Sequence, residues 1–177
     1  STTARKSAGL ETFAWEIKNH GASGATTVVT AGAPTTAVTD GTQRAFTETI
    51  LKDVLQQGFA VGSRFKQLYV GGAQKGVVGA FAGLGATRLS VSQSKKSQGV
   101  IVGAADVYIS DFGDISIIPS PHMRNRTALL LDPSKVRIAK FRDWSTEKLA
   151  KTGDAEKRQM LCEFTLEVKN PRGVGKV

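Results

Sequence analysis

The sequence predicts an α+β fold, in which amphipathic helices pack against a sheet of short strands and one long strand. Apolar residues recur at helical spacing between Phe46 and Leu55, the pattern of a helix with one buried face. Between Met160 and Val168 they instead alternate with mostly polar residues, as in a strand with one buried face. The 177 residues, of which 40% are hydrophobic, suffice for one substantial core or two small lobes.

Three helices are predicted. Residues 10–18 have helical spacing of apolar side chains and form a short first helix. In the second and best-defined helix, Asp40 is the N-cap, Gln43 is the third helical residue, and Gly58 lies just past the end. Its apolar stripe comprises Phe46, Ile50, Leu51, Val54 and Leu55. A glycine-rich third helix follows residues 71–72, and one face of it is expected to carry Val77, Val78, Phe81 and Leu84.

Short strands are predicted between turn signals. They lie at residues 67–70, 87–92, 99–110 and 115–118, and a turn from Asp111 to Asp114 precedes the last of them. Residues 129–132 end in the turn signal Asp-Pro-Ser, before an alternating stretch at 135–141. Residues 26–42 are rich in Thr, Ala and Gly without periodicity and are predicted to form a linker or exposed loop.

The longest predicted strand covers residues 159–169. On one face it carries Met160, Cys162, Phe164, Leu166 and Val168, and the opposite face is mostly charged. Nine residues of strand span about 30 Å, well beyond the usual five or six residues. Such a strand indicates an elongated sheet rather than a compact barrel.

The charge of the chain is basic but mixed in sign. Twenty-four Lys and Arg residues against 15 Asp and Glu give a net charge of +9, and most of the excess lies in residues 134–177. There the two signs alternate, which suits pairing with another protein at least as well as binding to phosphates. No stretch is long and apolar enough for a membrane span, and the N-terminal residues lack a signal-peptide pattern.

Glycine-rich residues 70–87 invite a nucleotide-binding interpretation, which the residues do not support. A phosphate-binding loop requires Gly-Lys-Ser/Thr, and the chain has none. Residues 83–88 begin like a dinucleotide fingerprint, but Arg88 occupies the position of the third glycine. Close packing of a helix on a sheet explains these glycines better, and no cofactor is predicted.

Catalytic and metal-binding groups are equally sparse. Asp111 and Asp114 flank a tight turn, where a role in capping the backbone outweighs acid–base catalysis. Cys162 lies on the apolar face of a strand, and His20 and His122 lie in predicted loops without an orienting carboxylate. No metal site and no enzymatic activity are predicted.

Aromatic and basic residues are mixed around Trp144, with Phe141, Lys140, Arg142 and Lys148 nearby. Such a mixture can stack on single-stranded nucleic acid. It can also anchor a subunit interface, in which Trp and Arg are enriched. We favour the interface, and a small basic nucleic-acid-binding module remains the alternative.

Three stretches resemble the major head (capsid) proteins of certain tailed bacteriophages. Residues 107–118 are similar to the strand–turn–strand of that family, and residues 130–139 to its next block. Residues 149–158, followed by residues 163–170, are similar to its C-terminal signature. The stretch 149–158, Leu-Ala-Lys-Thr-Gly-Asp-Ala-Glu-Lys-Arg, is the most specific of them.

The resemblance implies the shell fold common to tailed phages and the herpesvirus floor domain. That fold comprises an N-terminal arm, an extended loop, a long spine helix, an axial domain and a peripheral domain. The arm, the loop and most of the spine helix are expected to be absent from this chain. Residues 1–22 would then be the end of the spine-helix region and residues 23–133 the axial domain. Residues 134–177 would be a return segment and long strand of the peripheral-domain sheet.

The function implied is that of a structural protein which self-assembles into an icosahedral head around the phage genome. Its partners would be copies of itself in hexamers and pentamers, and other head proteins such as portal or decoration proteins. Non-specific contact with packaged DNA is possible, and no membrane is involved. The protein would be found in the virion, and in the host cytoplasm during assembly. The predicted subunit-interface residues are Arg142, Trp144, Lys148, Lys151, Asp154, Glu156, Lys157 and Arg158.

Overall fold

A mixed six-stranded sheet forms the centre of the fold in a computed structural model, which describes residues 8–30, 33–81, 107–151 and 153–177. The helices are α1 (Leu10–Phe13), α2 (Glu48–Ala60) and α3 (Gly72–Gly79). The strands of the central sheet are β1 (Ile17–Lys18), β4 (Gln67–Val70), β5 (Val107–Ser110), β6 (Gly113–Pro119), β7 (Leu129–Leu131) and β10 (Val174–Lys176). The remaining strands are β2 (Val29–Thr30), β3 (Ala33–Pro34), β8 (Val136–Lys148) and β9 (Arg158–Val168). The predicted α+β class is confirmed.

The central sheet has the strand order β1-β10-β7-β4-β6-β5. The pairs β1–β10 and β4–β6 are parallel, and the other neighbours are antiparallel. Helix α2 packs against one face of the sheet and buries Leu51, Val54 and Leu55 there. The sheet contributes Leu68, Val70, Ile115, Ile117 and Leu130 to the same core. Burial of these side chains is the main source of stability for the fold.

Helix α2 begins later and ends later than the sequence predicts. Asp40, predicted to be its N-cap, instead forms ion pairs with Arg124 at 3.1 Å and Arg126 at 3.6 Å. The helix begins after Thr47, whose backbone is extended, and it includes Gly58 in its interior. The predicted cap residues are therefore wrong, because a carboxylate held by two guanidinium groups is not free to cap a helix. The buried stripe of the helix is confirmed at Leu51 and its neighbours.

The first predicted helix, residues 10–18, is reduced to the single turn of α1. Ile17 and Lys18 pair instead with Gly175 and Lys176 of β10. These residues form a strand rather than a helix because strand pairing buries Ile17 almost completely and satisfies its backbone groups.

Within residues 26–42, predicted to be a linker or exposed loop, the described residues include two short paired strands. Strands β2 and β3 pair, and an isolated bridge joins Ala25 to Thr39 below them. Threonine side chains extend the pairing, since the Thr36 hydroxyl accepts a hydrogen bond from the Val28 N–H at 2.8 Å. The Thr-rich composition thus stabilises a local structure that has no hydrophobic periodicity.

The other predicted elements are confirmed where the structure describes them. Strand β4 covers the predicted residues, and β5 and β6 form the predicted hairpin around the turn at Gly113. In α3, Val78 is buried and Val77 is exposed, and Phe81 just beyond the helix is buried. Leu84, the strand at 87–92, the part of the strand at 99–106 and the fingerprint-like residues 83–88 lie outside the described residues. The domain boundaries at 22/23 and 133/134 stay predictions.

A matched pair of glycines tests the packing of α2. A Cβ atom on Gly58 would lie 2.5 Å from Cε2 of buried Phe65, whereas a Cβ on Gly76 of α3 meets nothing within 4 Å. We expect Gly58→Ala to lower the free energy of unfolding by about 1–3 kcal/mol through overpacking. Gly76→Ala should raise it by up to about 1 kcal/mol through helix propensity. Urea denaturation measures both, and a stabilised Gly58→Ala variant would contradict the packing described.

The hydrogen bond between Tyr108 of β5 and Glu48 of α2 allows a pH-dependent test of how the β5–β6 hairpin contacts α2. The buried hydroxyl of Tyr108 donates a hydrogen bond to Oε1 of Glu48 at 3.0 Å. Burial, and then the Glu48 carboxylate, raise the pKa of Tyr108 well above its ordinary value. The folded state therefore favours the protonated phenol, and this stabilisation is complete below the ordinary tyrosine pKa of about 10 and is lost at higher pH.

We expect Tyr108→Phe to lower the free energy of unfolding by about 1–3 kcal/mol at neutral pH. The variant should also lose less stability than the wild type when the pH is raised, because it has no phenol to ionise. Tyr69→Phe is the control, because the Tyr69 hydroxyl contacts only Gln67 among the described residues. Denaturant unfolding between neutral pH and pH 11, about one unit above the ordinary tyrosine pKa, measures the effect. An alkaline loss that is unchanged in Tyr108→Phe would show that this hydrogen bond is not its cause.

Candidate interaction surface

Strands β8 and β9 form a separate two-stranded antiparallel sheet, which we call the ribbon, joined by a loop at residues 149–157. Thirteen residues of β8 extend about 40 Å at the usual rise per residue. Val136 and Val168, at the base of the ribbon, pack beside Leu131 and Val174 of the central sheet. Beyond this base, most residues of β8 are exposed.

Two similar turns set the direction of the ribbon. After β7, an Asp132 carboxylate oxygen accepts a hydrogen bond from the Ser134 N–H at 3.1 Å, and Pro133 begins a short 3-10 turn. After β9, the Asn170 side-chain oxygen accepts from the Arg172 N–H at 3.0 Å before a second such turn. Proline fixes φ where the missing N–H costs nothing, so both turns are locally encoded.

One face of the ribbon carries cross-strand ion pairs. Arg137 Nε lies 2.6 Å from an oxygen of Glu167, and Arg142 Nε lies 3.5 Å from an oxygen of Glu163. The hydrogen bond from Arg137 holds the pKa of the Glu167 carboxyl below its usual range. These pairs are largely exposed, so each contributes little to stability, but together they fix which face of the ribbon is charged.

The opposite face of the ribbon is apolar and exposed. The register places Ile138 beside Leu166 and Lys140 beside Phe164. Phe164 is 65% exposed, and Ile138 and Met160 are also exposed. The sequence correctly assigns the apolar residues of β9 to one face, on which Met160 and Phe164 are exposed while Cys162, Leu166 and Val168 are half-buried. We call this surface the apolar face of the ribbon.

Aromatic residues of β8 lie where its register with β9 shifts. The shifts fall between Lys140 and Arg142 and between Arg142 and Ser145, so Phe141 and Trp144 lie within the irregular part of the register. Phe141 is 77% exposed and Trp144 65%. The Trp144 N–H donates to Asp143, and this contact, together with Lys140, lowers the pKa of the Asp143 carboxyl. Bulges of this kind turn side chains out of the regular alternation.

The predicted interface residues all lie in the half of the ribbon away from the central sheet. Lys148 and Arg158 face each other across the strands, and each lies 3.6 Å from a carboxylate oxygen of Glu156. Gly153 adopts a φ of +82° in the loop. All eight predicted residues are exposed, namely Arg142, Trp144, Lys148, Lys151, Asp154, Glu156, Lys157 and Arg158. Thr152, in the same loop, lies outside the described residues. Their contact with other subunits stays a prediction.

Sequence reasoning did not identify the exposed apolar residues Ile138, Met160 and Phe164 as interaction candidates. The alternating stretch at 135–141 is a signal that could have done so, since it predicts a strand next to the one at 159–169. Two amphipathic strands that pair leave an apolar face twice as wide as either strand alone. Alternation by itself does not say whether that face is covered.

The acidic pair and the cysteine considered from the sequence lie on different sheets of the structure. Asp111 and Asp114 are exposed at the β5–β6 turn, and the Cys162 thiol donates a long contact of 3.6 Å to the Arg142 carbonyl. Within the described ranges there is no group of three or more potential metal ligands. No helix among these residues is long and apolar enough to cross a membrane.

The comparisons with known proteins identify the family. The family described as "SU10 major capsid protein" matches residues 1–177, the whole chain. The chain belongs to the SU10 major capsid protein family. The resemblance to the major head proteins of phages, predicted from the sequence, is thereby confirmed.

Among solved structures, the chain is similar to a virus-like particle from Pyrococcus furiosus at 12% sequence identity, with a TM-score of 0.41. The similarity covers 73% of this chain and 49% of that chain, so this chain spans about half the length of that relative. No curated protein matches significantly. Membership of the capsid family rests on the sequence match.

Exposure of the apolar face is tested by substitution. Phe164→Ser should change the free energy of unfolding by no more than about 0.5 kcal/mol, because the side chain is exposed. Leu130→Ala, in the central sheet, should cost about 2–5 kcal/mol because Leu130 is fully buried. Equal losses in urea denaturation of the two variants would show that the apolar face is part of the core.

Proposed function

We propose that the protein is a major capsid protein that self-assembles into the icosahedral head of a tailed phage, and that the ribbon contacts neighbouring subunits. The observation that carries this proposal is an arm of two long strands outside the central sheet, with one charged face and one exposed apolar face. A monomeric protein rarely exposes a continuous apolar surface unless another molecule covers it. The family match supports a capsid component as that other molecule.

The fold proposed is the tailed-phage shell fold. Residues 23–133 would form most of the axial domain, and residues 134–177 a return segment and long strand of the peripheral domain. The β8–β9 ribbon supports this, because an elongated peripheral sheet needs long strands with one apolar face. No catalytic role is proposed, since the work of a shell subunit is noncovalent assembly.

The proposed partners are first of all copies of the same protein, in hexamers and pentamers. Portal and decoration proteins, and non-specific contacts with packaged DNA, would follow from the position of the protein in the virion. Assembly would take place in the host cytoplasm. Within residues 136–168 there are seven basic and six acidic residues. This near balance favours a protein partner over a nucleic acid, which selects for an excess of positive charge.

The interface assignment predicts the effect of Lys157→Glu combined with Arg158→Glu in the full-length protein. Both side chains are exposed at the loop end of the ribbon, so the subunit should remain folded while shells or capsomers fail to form. Arg64→Glu with Lys66→Glu is the matched control, because it makes the same charge change at exposed positions outside the ribbon. Electron microscopy and sedimentation measure assembly, and circular dichroism measures folding.

Wild-type full-length protein expressed alone should form closed shells or capsomers. Its failure to do so, with or without other head proteins, would refute the proposed function. Normal particles from the Lys157→Glu, Arg158→Glu variant would refute only the assignment of these residues to the interface.

A further inference from the structure

The apolar face of the ribbon has a distinctive charge. Strand alternation and the register place three cations on it, Lys140, Lys148 and Arg158, and no carboxylate among its regularly paired residues. Asp143 and Glu156 reach these cations from the bulge and the loop, at 3.1 Å and 3.6 Å. These contacts are exposed and therefore weak. A molecule that covers this face must bring apolar side chains and, at the same time, negative charge.

A contact between two ribbons related by a two-fold axis does not meet this requirement. In such a contact each apolar face opposes the same face of its partner. The cations Lys140, Lys148 and Arg158 would then face the same set of cations on the partner, which is unfavourable. The complementary surface must therefore lie on another part of the partner.

The β5–β6 hairpin has the complementary character. Among the described strands β5 is at one edge of the central sheet, and Val107 and Ile109 on it are exposed, Ile109 by 71%. Ile109 lies opposite Asp114 in the register, with Asp111 in the adjoining turn. Residues 107–119 include these two carboxylates and no Lys or Arg. Neither carboxylate forms an ion pair with a described residue.

We infer that the apolar face of the ribbon binds the β5–β6 hairpin of a second copy of the protein, with Asp111 and Asp114 near the ribbon cations. This inference rests on the proposed function, since it names the partner surface for capsid assembly. The contact joins two different surfaces of the same chain, so each subunit offers one of each. Contacts of this head-to-tail kind close into rings when the rotation between subunits allows it.

The size of the contact fits a ring rather than an isolated dimer. Four-residue β5 spans about 13 Å at the usual rise. The area that such a short hairpin buries is well below the roughly 1,200 Å² of a stable pair. Single contacts should therefore be weak, and assembly should depend on several contacts formed together.

A charge exchange in the full-length protein tests the inference. The ribbon variant is Lys140→Glu with Lys148→Glu, the hairpin variant is Asp111→Lys with Asp114→Lys, and the exchange variant contains all four changes. Arg64→Glu with Lys66→Glu is again the control. Assembled and unassembled protein are separated by sedimentation, particles are examined by electron microscopy, and thermal unfolding of unassembled subunits checks the fold.

Each two-residue variant should lower the assembled fraction at least about tenfold, because like charges then meet at the contact. The exchange variant should recover most of the loss, and the control should assemble normally. Recovery also excludes misfolding of the hairpin, since the exchange variant contains the same hairpin substitutions.

Three results would overturn the inference. One is normal assembly of either two-residue variant. Normal assembly of the hairpin variant, for example, is expected if the ribbon binds some other surface. Another is loss of assembly in both variants without recovery in the exchange variant. The third is an equal loss in the control. Absence of shells from the wild-type protein would instead refute the proposed function itself, so the two failures are distinguishable.

Discussion

The pairing of β7 with β10 is the constraint on which the rest of the structure depends. Leu131 at the end of β7 lies opposite Val174 at the start of β10, and the Asp132 N–H donates to the Gly173 carbonyl at 2.9 Å. The chain therefore leaves the central sheet and returns to it at the same place. Everything between these residues is free to extend away from the core as the ribbon. The same β10 pairs with β1, so it also joins residues near both ends of the sequence.

Ion pairs reinforce this arrangement around the central sheet. Lys176 is only 7% exposed in its side chain, and its ammonium lies 2.5 Å from an oxygen of Glu11. Arg124 contacts both Glu11 and Asp40. A buried ammonium is tolerated only when a carboxylate accompanies it, so α1 and β10 depend on each other. The network also explains why the segment around Asp40 is not part of α2.

The sequence predicts the elements whose patterns are local. The stripe of Leu51, Val54 and Leu55, the hairpin around Gly113 and the alternation of β9 are all read from nearby residues, and the structure contains them. The N-terminus of α2 is not predictable in this way, because the carboxylate of Asp40 forms ion pairs with arginines more than eighty residues later in the sequence. Strand β1 fails for the same reason, since only its pairing with β10 makes it a strand.

The candidate surface was predicted in part. The charged residues of the loop end are visible in the sequence as a dense cluster of both signs, and Trp144 is visible as an aromatic among cations. The exposure of Phe164 is not visible, because an apolar alternation predicts a buried face and says nothing about which molecule buries it. In a protein that assembles, part of the core belongs to the neighbour, and the sequence of one chain does not separate the two kinds of burial.

The closed base of the ribbon has a consequence for how such proteins can diverge. Because entry and exit are held together by the β7–β10 pairing, the ribbon can lengthen or shorten without any change in the central sheet. Two residues added to each strand would move the tip outward by about 7 Å and keep every side chain on its face. One residue added to each strand would exchange the faces of everything beyond it. Changes in the reach of this arm are therefore expected to occur in steps of two residues per strand, and bulges such as those of β8 are the means by which single insertions are absorbed.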